Sequence, residues 1–220
     1  MTELFQLEFV KVKAEKFFEY LPLVGKIKEL EKKHGVTVVT EYMVEAGGGI
    51  ELFLIRKFAG MADRDKCMKS ALKDPAFIQL MNEAGKCVQD VSVYLCTKDP
   101  VIGFQQPSGK SKKIMDIFKF KGDPSQVGHK VKEMVAYFSE AMGGNAPKPV
   151  ILWVPMFFEE ACAIFMLEVP EDFDGAINAY GKVMADPKHW PKLREFDHFV
   201  DRKSVKLLRP VSELLEMTKM

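Results

Sequence analysis

Apolar and polar side chains alternate at the start of the chain and then change to a helical spacing. Residues 3–10 place phenylalanine or leucine at every second position, which predicts a strand with one apolar face. In residues 14–34 the apolar positions recur every three or four residues, so a helix is predicted there. Gly35 follows at the position where a left-handed residue would end that helix.

The next segments extend this pattern into one unit of mixed helices and strands. Gly47-Gly48-Gly49 separates two β-branched and aromatic runs, which predicts an antiparallel hairpin because glycine adopts the positive φ angles of tight turns. Asp74-Pro75 interrupts a second helical stretch, since proline disfavours the α conformation in the residue before it. The predicted elements are a strand at 36–46, a strand at 50–58, a broken helix at 62–84 and a strand at 90–98.

The same order of elements then begins again. Residues 100–113 mix proline, glycine, serine and lysine without periodicity, which is typical of a linker. The elements predicted after it are a strand at 114–121, a helix at 124–142, strands at 149–157 and 161–169, a helix at 171–185 and a strand at 198–211. Asp186-Pro187 repeats Asp74-Pro75 after 112 residues. The sequence therefore predicts two βαββαβ repeats, at 1–99 and 114–220.

The element order and the two bends resemble a known superfamily. The bends read Asp74-Pro75-Ala76-Phe77 in the first repeat and Asp186-Pro187-Lys188-His189-Trp190 in the second. A βαββαβ unit with such a bend resembles the dimeric α+β barrel superfamily, and the bend is most similar to that of NIPSNAP-type members. The resemblance implies an α+β fold in which two ferredoxin-like antiparallel sheets pack into a barrel with helices outside.

Strand composition supports the barrel independently. The runs at 52–55, 150–157 and 162–169 are apolar on both faces, so both faces need cover. The helices of one repeat can cover only one face, and the other repeat is the nearest candidate for the second. A chain with two repeats can build the barrel as a monomer, and a homodimer is the other possibility.

Charge and cysteine content narrow the environment and the partners. The formal net charge is +1, so the cationic surface needed for nucleic-acid binding is not expected. The four cysteines form no CxxC pair, which indicates free thiols in a reducing compartment. No basic-then-apolar leader opens the chain and no run approaches the length of a membrane span, so a cytoplasmic protein without a membrane partner is expected.

Polar residues within strands are the candidate site residues, because a buried polar group without a partner costs about 1–3 kcal/mol. Gln6 and Glu8 lie on the strand face opposite the apolar one, and Asp116 has a comparable place in the second repeat. We expect these side chains to point into the barrel cavity. Residues on other elements that could complete an aromatic-walled pocket are Tyr42, Arg56, Tyr94, Trp153 and His198, with His198 at the start of the last strand.

This grouping gives a hypothesis for function. The protein would bind a small apolar or aromatic molecule, as a possible cofactor-independent enzyme of the monooxygenase, cyclase or isomerase kind. Glu8 or Asp116 would serve as base, and His198, Tyr42 or Tyr94 as acid or hydrogen-bond donor. Whether the protein is an enzyme stays open.

Two alternatives remain beside it. Glu8 could pair with Arg56 as a structural ion pair, with the aromatic side chains forming core. The chain could then be a non-catalytic stress-response or interaction module. A barrel interior without room for a ligand of roughly 300 Å³ would favour that module.

No resident cofactor is expected, although the resemblance keeps haem as an alternative. Some members of the superfamily bind haem through a histidine, but Trp190 of His189-Trp190 is expected to pack in the bend as Phe77 does. No two histidines share a helix at metal-ligand spacing, so no metal site is predicted. Residues 103–111 superficially resemble a P-loop, but the glycine spacing is wrong and a strand follows.

Overall fold

The computed structural model describes residues 3–45, 50–102, 112–157 and 162–212. The predicted glycine hairpin at 47–49, the P-loop-like segment at 103–111 and most of the predicted linker lie outside these residues. The strands are β1 (Leu4–Val12), β2 (Thr37–Val44), β3 (Ile50–Phe58), β4 (Val88–Lys98), β5 (Lys113–Phe120), β6 (Lys148–Pro155), β7 (Cys162–Glu168) and β8 (Val200–Pro210). The helices are α1 (Phe17–Lys33), α2 (Met61–Ala71), α3 (Pro75–Cys87), α4 (Val127–Met142), α5 (Phe173–Ala185) and α6 (Trp190–Phe199).

The chain divides into two compact units with the same order of strands. The first unit comprises Met1–Thr97 with Arg209–Met220, and the second comprises Lys98–Leu208. The first sheet has the order β4-β1-β3-β2 and the second β8-β5-β7-β6, with antiparallel pairing of β1 to β3 and of β5 to β7. The helices and the antiparallel sheet of each unit confirm the predicted α+β class.

Each unit covers one face of its sheet with its own helices. In the first unit Val10, Leu52 and Leu54 pack against Leu21 and Val24 of α1. The opposite face of the same strands is buried as well, since Phe5, Leu7 and Phe53 are fully inaccessible to solvent. Both faces of this sheet are therefore shielded from solvent, as the apolar composition of the strands predicts.

The second unit follows the same plan. Phe118 and Phe120 of β5 pack against Val127 and Val131 at the start of α4. Met115, on the other face of β5, has no solvent exposure. Alternate residues of each central strand thus belong to two different layers, and a change of one position moves a side chain from one layer to the other.

One predicted element is wrong in the second unit. His198 was expected to start the last strand, but it lies on α6 and is exposed, and β8 begins two residues later at Val200. Pro191 occupies the first turn of α6, where the missing N–H is tolerated. Leu193, Phe196 and Phe199 are spaced as on one face of a helix, so the signal was present after the proline.

Aspartate side chains begin the helices that follow the two bends. Asp74 Oδ1 accepts a hydrogen bond from the Ala76 N–H at 3.0 Å, and Asp186 Oδ1 accepts one from the Lys188 N–H at 3.1 Å. The aromatic residues after the bends are not packed alike: Phe77 is buried, whereas Trp190 is 45% exposed. The expectation that Trp190 packs like Phe77 is therefore wrong, because a turn of 3-10 helix precedes Trp190 but not Phe77.

Asp74 also contacts residues at the end of α1, in addition to capping α3. Its Oδ2 accepts a hydrogen bond from Lys33 Nζ at 3.0 Å and lies 3.0 Å from His34 Nε2, at the end of α1. Hydrogen bonds from Lys33, then from His34 and the Ala76 N–H, lower the pKa of Asp74 from 3.8 to about 2. The ionised carboxylate therefore ties α1 to α3.

We expect Asp74→Ala to lower Tm more than Asp186→Ala, because the second substitution removes little more than a cap, a loss of about 2–4 °C. Thermal unfolding followed by circular dichroism measures both. The stabilisation from Asp74 is present above its ordinary pKa of 3.8 and is lost as the pH falls towards 2. The deficit of Asp74→Ala should therefore shrink over that range, and equal deficits for both variants at pH 7 would contradict the assignment.

Candidate functional site

The structure separates the predicted site residues of the first unit onto two faces of one sheet. Gln6, Glu8 and Arg56 lie on the face that the helices cover, where Arg56 contacts Glu31 of α1. Tyr42 and Tyr94 lie on the opposite face with the buried phenylalanines, and the Tyr94 ring is 5.7 Å from that of Phe9. A single pocket formed by all five side chains is therefore not observed.

Arg56 is the centre of a buried polar cluster in the first unit. Its Nη1 lies 2.8 Å from Glu8 Oε2, and its Nε donates to Glu31 Oε1 at 2.8 Å. Gln6 Nε2 donates to Glu8 Oε1, and Arg64 Nε of α2 donates to Gln6 Oε1 at 2.6 Å. The ion pair of Glu8 with Arg56, which the structural alternative required, is thus present.

Burial and charge act in opposite directions in this cluster. Burial raises the pKa of the Glu31 carboxyl, while the Arg56 guanidinium opposes that rise. Burial also raises the pKa of Tyr20 to about 12. The positive charge of Arg56 balances the negative charges of the Glu8 and Glu31 carboxylates, of which Glu31 is buried and Glu8 partly buried. Such an ion cluster holds helices against a sheet.

In the second unit Asp116 lies on the helix-covered face of β5. Arg202 Nε of β8 donates to Asp116 Oδ2 at 2.8 Å. Asp116 is 7% exposed, and its buried Oδ1 has no hydrogen-bond partner among the described residues. Burial raises the pKa of Asp116, and Arg202 only partly offsets this. Trp153 lies on the other face of the same sheet, opposite Ile164 of β7.

A cavity of about 430 Å³ opens beside Asp116, between the second sheet and helices α4 and α5. Its walls are mainly aliphatic and aromatic, and its polar groups come from Asp116, Arg202 and Tyr180. The side chains on the sheet side are Ile114, Asp116, Phe165, Leu167, Arg202 and Val205. Those on the helix side include Met134, Val135, Phe138, Met142, Phe173, Ala176, Ile177 and Tyr180.

Sequence reasoning found Asp116 but not this cavity. On the helix-facing side of β5, Ile114, Phe118 and Phe120 are apolar and Asp116 is the exception. This one charged residue in an otherwise apolar row is the sequence signal that points to Asp116 as a site residue. The helix residues of the cavity carried no such signal, because apolar side chains on a helix predict core.

Comparison with known proteins shows the fold. No family model matches the chain, and no curated protein matches it. A protein from Lactobacillus acidophilus NCFM, provisionally named a monooxygenase, is 14% identical with a TM-score of 0.62, covering 96% of this chain and 95% of that chain. A mutant chlorite dismutase from Candidatus Nitrospira defluvii, in complex with cyanide, is 11% identical with a TM-score of 0.57, covering 98% and 94%.

A NIPSNAP family protein from Agrobacterium tumefaciens is 12% identical with a TM-score of 0.40, covering 42% of this chain and 90% of that chain. The similarity to the Lactobacillus acidophilus protein over nearly the full length shows that the two chains share an α+β fold, and each unit of this chain has the ferredoxin-like order of elements. Within the described residues, no helix has the length and apolar character that a membrane crossing requires.

The expectation of a protein without a cofactor needs correction. Chlorite dismutases, one of which shares this fold over nearly the whole chain, are haem-binding proteins. The fold therefore does not support the assumption that no cofactor is involved. However, the described residues that line the 430 Å³ cavity include no histidine, so they do not fit a histidine-ligated haem.

We expect Arg56→Met to destabilise the protein by about 3–5 kcal/mol, because Glu8 and Glu31 would stay buried without a compensating charge. Urea unfolding measures the change. Arg194→Met, at an exposed position of α6, is the matched control and should unfold like the parent. Adding Glu8→Gln and Glu31→Gln to Arg56→Met should recover most of the loss. A fully stable Arg56→Met protein would show that the cluster does not hold the unit together.

We expect Asp116→Asn to raise stability at pH 7, because the raised pKa means that ionisation of Asp116 costs the folded state free energy. An acid with a raised pKa loses stability as the pH rises above its ordinary value of 3.8. The Tm difference between variant and parent should therefore grow between about pH 4 and pH 7. A variant that is less stable than the parent at pH 7 would show that the Arg202 contact outweighs burial.

Proposed function

We propose that this protein binds a small apolar or aromatic molecule in the cavity between the second sheet and helices α4 and α5. The observation that carries the proposal is the 430 Å³ space with a single buried carboxylate in an otherwise largely apolar wall. Small-molecule sites have this make-up: a concave, mostly apolar space with a few polar groups that fix the orientation of the ligand. The volume lies within the usual range of about 300–1,000 Å³.

Aromatic rings favour a flat ligand. Phe138 of α4 and Tyr180 of α5 stand with their ring centroids 5.9 Å apart and tilted by 30°, and both line the cavity. Phe165 lines the cavity from the sheet and Phe173 from the start of α5. Aromatic rings gain free energy beyond simple burial when they stack or meet edge to face.

The predicted site residues have unequal parts in the proposed binding. Asp116 remains the candidate base or hydrogen-bond acceptor, because its carboxylate is buried next to the cavity and its pKa is raised. Glu8, Gln6 and Arg56 belong to the buried ion cluster and take no part in the proposed binding. Tyr42, Tyr94, Trp153 and His198 are not among the residues that line the cavity.

We further propose that Asp116 acts as a catalytic base. A carboxylate whose pKa is raised above its ordinary value accepts a proton from a bound ligand more readily than one in water. The interaction module remains the second candidate. The 430 Å³ cavity lies under the helices of the second unit, so its volume does not measure the barrel interior on which the interaction module depends.

The experiment is binding of Nile red, an uncharged dye whose fluorescence rises in apolar surroundings, to the full chain. We expect saturable binding that Val205→Trp abolishes or weakens at least tenfold. Val205 lines the cavity and is 52% exposed, so a larger side chain can fill the opening without entering a closed core.

Val93→Trp is the matched control, because Val93 is a valine of β4 with 50% exposure in the first unit. It should bind the dye as the parent does. Equal binding by the parent and Val205→Trp would place the dye elsewhere and contradict the proposed cavity. No binding by the parent would favour the interaction module.

A further inference from the structure

We infer that the ligand of this cavity is a neutral, flat molecule with a hydroxyl donor, of the phenol class, that hydrogen-bonds to Oδ1 of Asp116. This inference rests on the proposed function and adds the chemical class of the ligand. Its basis is a carboxylate with one oxygen paired and the other without a partner, held beside an apolar cavity.

The unpartnered oxygen calls for a donor. Asp116 Oδ2 already accepts from Arg202, while Oδ1 is buried and has no partner in the described part of the chain. Most buried polar atoms in proteins do have a hydrogen-bond partner, and each exception needs an explanation, such as a catalytic role or a bound water or ion. Asp116 lines the cavity, and its neighbours there on the sheet are apolar except for Arg202, which is paired with Oδ2, so a ligand hydroxyl that reaches Oδ1 supplies the missing donor.

The charge balance favours a neutral ligand. Arg202 and Asp116 form an ion pair at 2.8 Å, so together they present no net charge to the cavity. An anionic group would be repelled by the carboxylate, and a cationic group would compete with Arg202 for it. A hydroxyl group on an aromatic ring donates one hydrogen bond without adding charge.

The test compares three naphthalenes of nearly equal size by isothermal titration calorimetry with the full chain. 2-Naphthol carries the donor, 2-methoxynaphthalene lacks it, and 2-naphthoate carries an anion. We expect 2-naphthol to bind about tenfold more tightly than the methyl ether, since a hydrogen bond to a charged group commonly contributes that much. 2-Naphthoate should bind more weakly than either.

Variants assign the preference to Asp116. Asp116→Leu should remove the preference for 2-naphthol while retaining binding of 2-methoxynaphthalene, and Asp116→Asn, with a weaker neutral acceptor, should reduce it. Asp197→Leu, at an exposed position of α6, is the control and should keep the parent's preference. Circular dichroism verifies that each variant is folded.

The outcomes separate this inference from the proposed function. If 2-methoxynaphthalene binds as tightly as 2-naphthol, or if the folded Asp116→Leu protein keeps the preference, the inference is wrong and the apolar cavity stands. If 2-naphthoate binds most tightly, Arg202 rather than Asp116 recognises the ligand, and the inference is again wrong. If Nile red binds but no naphthalene does, the inference fails alone. If neither Nile red nor any naphthalene binds, the proposed function fails as well.

Discussion

The burial of both faces of each sheet is the constraint on which the rest of this structure depends. Phe5 and Leu7 are inaccessible on one face of β1, while Val10 packs under α1 on the other. A strand buried on both sides has no solvent-facing row for polar side chains. Every polar residue in such a strand must therefore find a partner, tolerate the cost of having none, or bind something.

The two units meet this constraint in different ways. In the first, Arg56 joins Glu8 to Glu31, and a charged cluster with its own hydrogen bonds lies beside the apolar core between sheet and helices. In the second, Asp116 has Arg202 as its partner for one oxygen, and a cavity takes the place of a cluster. The helix-covered face of the sheet thus carries an ion cluster in the first unit and borders a cavity in the second.

This difference also explains why two carboxylates in similar sequence contexts have different roles in the folded protein. Glu8 and Asp116 both interrupt apolar strands, and sequence reasoning treated them as equivalent candidates. A fully engaged carboxylate in an ion cluster contributes to packing, and its removal unbalances the cluster. A half-engaged carboxylate beside open space keeps hydrogen-bonding capacity for another molecule. The distinction depends on which helix residues face each strand, and these are far away along the chain.

The sequence by itself determined the order of the strands and of the helices other than α6, because hydrophobic periodicity and Asp-Pro bends are local properties. It also determined that the sheets need cover on both faces. Only the tertiary structure decided which face each polar residue occupies, since strands alternate and the choice of layer depends on packing against distant helices. That packing places His198 on α6, puts Tyr42 and Arg56 on different faces of their sheet, and leaves the cavity beside Asp116. No single stretch of sequence specifies it.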